Sequence, residues 1–124
     1  VHIKALNTGH DGSLSTGHAN SPKDMLSRLE SMVLMGMDLP LGAVQRQIAS
    51  GIDIIVHLGR LRDKSRKVLE VSEILDYQDG EILVSPLYRF EETGEKDGKI
   101  QGTWRKMDDL VHTQKLLAAG YKEV

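Results

Sequence analysis

An α/β fold with a mixed sheet, flanking helices and a closing β-hairpin plus helix is what this sequence predicts. Three observations carry the expectation. Two stretches between residues 22 and 50 place apolar side chains at helical spacing, Ile52–Leu61 is a nearly continuous apolar run, and Ser65–Tyr77 alternates up to the hairpin dipeptide Asp79-Gly80. The 124 residues are 40% hydrophobic and 27% charged, which suits one globular domain, or part of one, with a modest core.

Taken in order, Val1–Leu6 (VHIKAL) is too short to assign alone. Asn7–Ser21 (NTGHDGSLSTGHANS) is the most informative stretch. Gly9 and Gly12 bracket His10 and Asp11 in a turn. Ser13–His18 then reads as a short strand of small residues, with Leu14, Thr16 and His18 on one face and Ser13, Ser15 and Gly17 on the other. His18 thus stands at the strand's carboxyl end, where open α/β sheets bind ligands.

A helix follows over Pro22–Met35, with Ser21 as N-cap, Pro22 at the first helical position and Gly36 as the stop. Met25, Leu29, Met32 and Val33 share a face, with Leu26 beside them. A methionine stripe can be an adaptable groove, but the reading taken here is an ordinary core face. A second helix over Pro40–Ser50 buries Leu41, Val44 and Ile48. Ile52–Leu61 (IDIIVHLGRL) suits a strand covered on both faces of a mostly parallel sheet, with His57 a satisfied core residue. Strand, two helices, strand is the crossover pattern of an α/β sheet.

Ser65–Tyr77 presents Leu69, Val71, Leu75 and Tyr77 on one face and Glu70, Ser72 and Asp76 on the other. Asp79-Gly80 turns it into a return strand over Glu81–Glu91. Thr93–Lys99 reads as a loose loop, Ile100–Arg105 as a short strand, and Asp108 as the cap of a last helix over Asp109–Ala119 that Gly120 stops. Trp104 is read as packing under that helix.

The string TGHDGSLSTGHA resembles the histidine box of the type II/IV secretion ATPases, hexameric RecA-like motors of pilus assembly, secretion and conjugation. The chain looks most like the Tad/Flp-pilus assembly branch from about Ala5 to Leu61, and again at PLYRFEETG (Pro86–Gly94) and KLLAAGY (Lys115–Tyr121). The resemblance implies the C-terminal portion of a RecA-like P-loop NTPase domain. Residues 1–62 would hold the histidine-box strand, two helices and the buried strand, and residues 63–124 the hairpin region and terminal helix. It further implies that the phosphate-binding loop and Walker B segment lie before Val1. The full-length protein would be an ATPase using ATP and Mg²⁺, hexameric, cytoplasmic and peripheral to the inner face of the cell membrane, where it meets a secretion or pilus platform protein. The fragment alone would bind neither cofactor. The rival reading is a non-catalytic module for oligomerisation or partner docking.

Against the residues themselves, these expectations meet few competitors. A net charge of −2 leaves no electrostatic footprint for nucleic acid, and no direct nucleic-acid binding is expected. The absence of cysteine excludes disulfide and thiolate-metal chemistry. No apolar run approaches the roughly 18 residues needed to span a bilayer. No G-x-x-x-x-G-K-[ST] loop occurs; the nearest string, DGKI at Asp97–Ile100, lacks the spacing and the hydroxyl.

His18 and His10 are the catalytic candidates. An imidazole can donate to phosphate oxygens and titrates near neutral pH, so it suits γ-phosphate sensing. The two are not equivalent, because five strand steps of about 3.3 Å span roughly 16 Å, which sends His10 to the turn or to a neighbouring subunit. No metal site is expected, since no third or fourth ligand accompanies His10, Asp11 and His18 at a recognisable spacing. Arg60, Arg62, Lys64, Arg66 and Lys67 cluster around a turn. Arg60 and Arg62 are candidates for intersubunit contacts, to an acidic surface or to nucleotide, beside the plainer reading of a solvated hairpin.

Overall fold

The computed structural model describes residues 14–36 and 38–122. Two Asp-Gly dipeptides shape its sheet. Asp79 and Gly80 have φ of 51° and 84°, and Asp97 and Gly98 have 53° and 76°. Two consecutive positive φ values make the turn whose twist matches paired strands. Three of the strands are therefore joined by two-residue connections: β2 (Arg66–Gln78), β3 (Glu81–Lys96) and β4 (Lys99–Lys106). With β1 (Ile54–Arg60) they form one sheet in the order β1-β2-β3-β4, an antiparallel meander. Phe90 faces Trp104 and Lys96 faces Lys99, with a bulge between Glu92 and Gly94.

The mixed α/β class holds, while several finer expectations give way. Strand β1 alternates exposed and half-buried residues, so it is covered on one face, as an edge strand of a meander is. The Thr93–Lys99 stretch is strand and tight turn where a loop was expected. Residues 14–19 form no strand. A strand needs a ladder partner or apolar area to bury, and this run of small side chains has neither. The expected turn around His10 lies outside the described residues.

The chain divides into two compact units. The first comprises residues up to Ile55 together with Ile74–Val84. It holds α1 (Pro22–Gly36) and α2 (Leu41–Gly51). Ser21 caps α1 as its sequence predicts: the Asp24 N–H donates to Ser21 Oγ at 3.0 Å. Leu26 and Val33 of α1 pack with Val44 and Ile48 of α2 and with Ile74, supported by Leu29, Leu39, Ile52, Ile82 and Val84. Val44 and Ile48 are 0% exposed, and each such side chain contributes about 1.5–3 kcal/mol by leaving water. Of the face predicted for this helix, Leu26, Leu29 and Val33 join this core, whereas Met32 faces solvent. Leu41 is also exposed, and Gln45 is buried in its stead, donating to Glu30 at 3.3 Å. Ile74 enters the core from the face of β2 read as polar. The Ile74 N–H donates to Asp53 O at 2.9 Å, and Arg46 lies over the Tyr77 ring at 5.1 Å.

The second unit is Val56–Glu73 with Ser85 onward. Trp104 stands edge-to-face on Phe90, with ring centroids 5.6 Å apart. Its indole N–H donates to Val68 O at 2.7 Å, so the sheet holds it, not a covering helix. Gly102 lets Phe90 lie close: a Cβ there would sit 2.4 Å from the Phe90 ring. Glu73, 1% exposed, accepts the backbone N–H groups of Val111 and His112 at 2.8 and 2.9 Å and so anchors the chain after β4. The closing helix α3 is only Gln114–Ala118, with Thr113 at its N-cap. Asp108 does not cap it; its carboxylate accepts the neighbouring Asp109 N–H. His112 consequently precedes the helix. Gly120 stops α3 as expected, with φ of 102°.

Candidate functional site

Ser21 and Pro22 start α1 and thereby fix what precedes it. The carboxylate of Asp24, in the first turn, accepts the Asn20 N–H at 3.0 Å and the Arg28 Nε–H at 3.1 Å. These bonds, the Asn20 one foremost, hold the Asp24 carboxyl below its ordinary pKa. Residues 16–18 therefore run beside α1. An open hollow of ≈ 500 Å³ is lined by Thr16, Gly17 and His18 on one side and by Met25, Ser27, Arg28, Leu29, Ser31 and Met32 of α1 on the other. Gly17 sits so close to Met25 that a Cβ would meet its Cε at 2.5 Å.

His18 is exposed on this hollow, and it stands on an extended segment without a strand. The strand-length separation of His18 from His10 loses its basis with that strand, and His10 lies outside the described residues. The lining adds Arg28 of α1, which was not among the candidate site residues. Its signal was the i,i+4 spacing from Asp24, which holds the guanidinium near the start of the helix. An imidazole and a guanidinium on an open, partly apolar hollow are donors for an anionic oxygen.

The hollow does not suit a metal cation. Among the described residues no three of His, Cys, Asp or Glu gather as a metal site, and a guanidinium opposes a divalent ion. Mg²⁺ therefore has no fit on these residues.

Arg60 and Arg62 part ways. Arg62 makes a bidentate pair with Glu92, one bond at 2.7 Å, and reaches Glu95 at 3.6 Å. Its hydrogen bonds to Glu92 raise the Arg62 pKa further and lower that of Glu92. Arg60 is exposed at the end of β1 and makes no ion pair with a described residue. Between them and β2, Asp63 accepts the Ser65 N–H at 2.9 Å, the Ser65 hydroxyl and the Ile100 N–H at 2.8 Å. Those donors, Ile100 first, lower its pKa to about 2.

A family model described as type II/IV secretion system protein matches residues 1–113. A putative conjugal transfer protein of Mycobacterium tuberculosis (strain ATCC 25618 / H37Rv) is 32% identical over 80 residues, which are 64% of this chain and 22% of that protein. The conjugal transfer protein TrbB of Rhizobium radiobacter is 35% identical over 77 residues, 62% of this chain and 23% of that protein. A probable conjugal transfer protein TrbB of Sinorhizobium fredii (strain NBRC 101917 / NGR234) is 31% identical over 78 residues, 63% of this chain and 23% of that protein. The chain thus aligns with less than a quarter of the length of these curated relatives. No helix among the described residues is long and apolar enough to cross a membrane.

Proposed function

The chain belongs to the type II/IV secretion system protein family, and from that premise we propose that it is the C-terminal portion of a hexameric ATPase that powers pilus assembly, secretion or conjugal transfer. The observation that carries the reading to particular residues is the exposed imidazole of His18 on a hollow that Arg28 also lines. In such motors catalysis is mostly positioning and charge stabilisation around the phosphates. This part of the chain contributes donors; ATP and Mg²⁺ are held by a phosphate-binding loop that its 124 residues do not contain. His18 is the γ-phosphate donor of this proposal. His10 acts through the turn or the subunit boundary. Arg60, with its charge unspent, is a better intersubunit contact than Arg62. The motor works at the cytoplasmic face of the inner membrane against a platform protein.

One observation favours the second reading, a non-catalytic assembly module. Ile54, Val56 and Leu58 are all exposed along the edge strand β1, an apolar stripe that suits burial against protein.

Steady-state ATPase of the full-length protein separates the two. His18→Ala removes a donor aimed at developing charge, for which a loss of about 10² to 10³ in turnover is expected. The loss falls on kcat more than KM, because the phosphate-binding loop carries nucleotide affinity. His10→Ala gives a smaller defect that depends on protein concentration. If His10→Ala abolishes turnover in an intact hexamer while His18→Ala stays near wild type, the assignment is reversed. If neither variant changes turnover but both change assembly, the module reading stands.

A further inference from the structure

The segment that carries His18 rests on a thioether. Residues 14–19 have no strand partner among the described residues, and the Asn20 N–H on Asp24 is the hydrogen bond that fastens the chain just before α1. Upstream of that bond, Gly17 lies on Met25. A Cβ at position 17 would meet Met25 Cε at 2.5 Å and Met25 Sδ at 3.1 Å. The methyl and sulfur of Met25 therefore pack directly against the backbone of the residue before His18. Met25 is half-buried and lines the open hollow of ≈ 500 Å³, so a small solute reaches its sulfur. Met35 and Met107 differ from it: they are 88% and 43% exposed, and neither lines the hollow. The chain has no cysteine, so thioethers are its only sulfur and no thiol competes for an oxidant.

We propose that Met25 is an oxidation-sensitive pin of the His18 segment, a modification site whose reagent is hydrogen peroxide. The Met25 sulfur donates a lone pair to one peroxide oxygen. An S–O bond forms as the O–O bond breaks, and the other oxygen leaves as water with both peroxide protons. Sulfur is oxidised by two electrons and the peroxide is reduced by two. The product, methionine sulfoxide, is polar and larger at the atom that had packed on Gly17. Its oxygen is an acceptor that water solvates, and three rotatable bonds turn it out into the open hollow. That turn takes the side chain off Gly17 and frees Thr16–His18 from α1. Oxidation of Met35 or Met107 has no such effect, because neither packs on Gly17. The inference concerns how the His18 segment is held and involves no nucleotide. Failure of the ATPase reading would leave the pin standing, and failure of the pin would leave the role of His18 to its own test.

NMR of the 124-residue chain during a time course in hydrogen peroxide at constant pH tests it, with mass spectrometry reading the sulfoxide at each methionine. Before oxidation the Met25 methyl should give a cross-peak to the Gly17 α-protons. Met35, the more exposed, should oxidise first, and the His18 ring signals, assigned by their loss in His18→Ala, should not move with it. As Met25 converts, the cross-peak should vanish and the His18 ring signals should shift in step. Methionine sulfoxide reductase with a dithiol should restore both. Met25→Leu, which nearly conserves volume, should hold the His18 signals still in peroxide. Met35→Leu/Met107→Leu, which leaves the pin unchanged, should respond as wild type does. His18 signals that stay in place with Met25 fully oxidised, that follow Met35 instead, or that shift equally in Met25→Leu would overturn the proposal. So would a missing Met25–Gly17 cross-peak before oxidation, or a Met25 that resists peroxide sufficient to convert Met35 completely.

Discussion

Asp63 joins residues that are neighbours only in the fold. Its partner Ser65 is two positions away, but the Ile100 N–H that it accepts is 37 positions away. With a folded pKa of about 2 against an ordinary 3.8, the unfolded chain binds more protons between those values, so stability rises with pH there. The contribution is fully present above about pH 4 and is lost as pH falls through about 2. Urea unfolding between pH 5 and pH 2 should show Asp63→Asn less stable than wild type near neutrality but losing less on acidification; parallel curves would assign the acid sensitivity to other carboxylates. Local bonds were legible in the sequence, and distant ones were not. Ser21 was readable as a cap because its partner, Asp24, lies three residues on. Asp63 was readable only as part of a turn, and the Glu73 contacts with Val111 and His112 could not be read at all.

Elements were legible where one local rule decided them. Helices α1 and α2 and the Asp79-Gly80 hairpin followed from spacing and turn chemistry. The same dipeptide at Asp97-Gly98 obeys the same rule, and it was obscured by the flanking charges of EETGEKDGK, which resemble a solvated loop. Strands depend on partners, so residues 14–18 form none where no described residue pairs with them, and β1 was misread because an apolar run does not reveal which face is covered. If the 97–98 turn sets the β3–β4 register, Gly98→Ala is strained at φ 76° and should cost about 1 kcal/mol or slightly more. Gly94 has no positive φ, and a methyl group added there would meet nothing within 4 Å, so Gly94→Ala should stay within about 0.5 kcal/mol. Thermal unfolding compares them, with roughly 4 °C expected for the first. Equal shifts would remove the turn from its role.

At the scale of the whole molecule, the proposed motor function needs a phosphate-binding loop that this sequence does not contain. The match to a secretion-system family over residues 1–113 makes a nucleotide motor the natural context, yet the residues described offer donors without a cradle. In P-loop enzymes a glycine-rich loop surrounds the phosphates with backbone N–H groups, and its lysine adds charge. This sequence has no such loop, and its hollow is open, with His18 and Arg28 as the only cationic or titratable lining among the described residues. Two side-chain donors facing solvent cannot replace that many buried contacts. The chain alone is therefore expected to show no saturable ATP binding tighter than about 100 μM, with or without Mg²⁺, a threshold that corresponds to roughly −5.5 kcal/mol. Calorimetric titration measures this directly. Saturable binding below the threshold that His18→Ala abolishes would mean that the hollow is itself a nucleotide site, and the division of labour drawn for the motor would have to be redrawn around it.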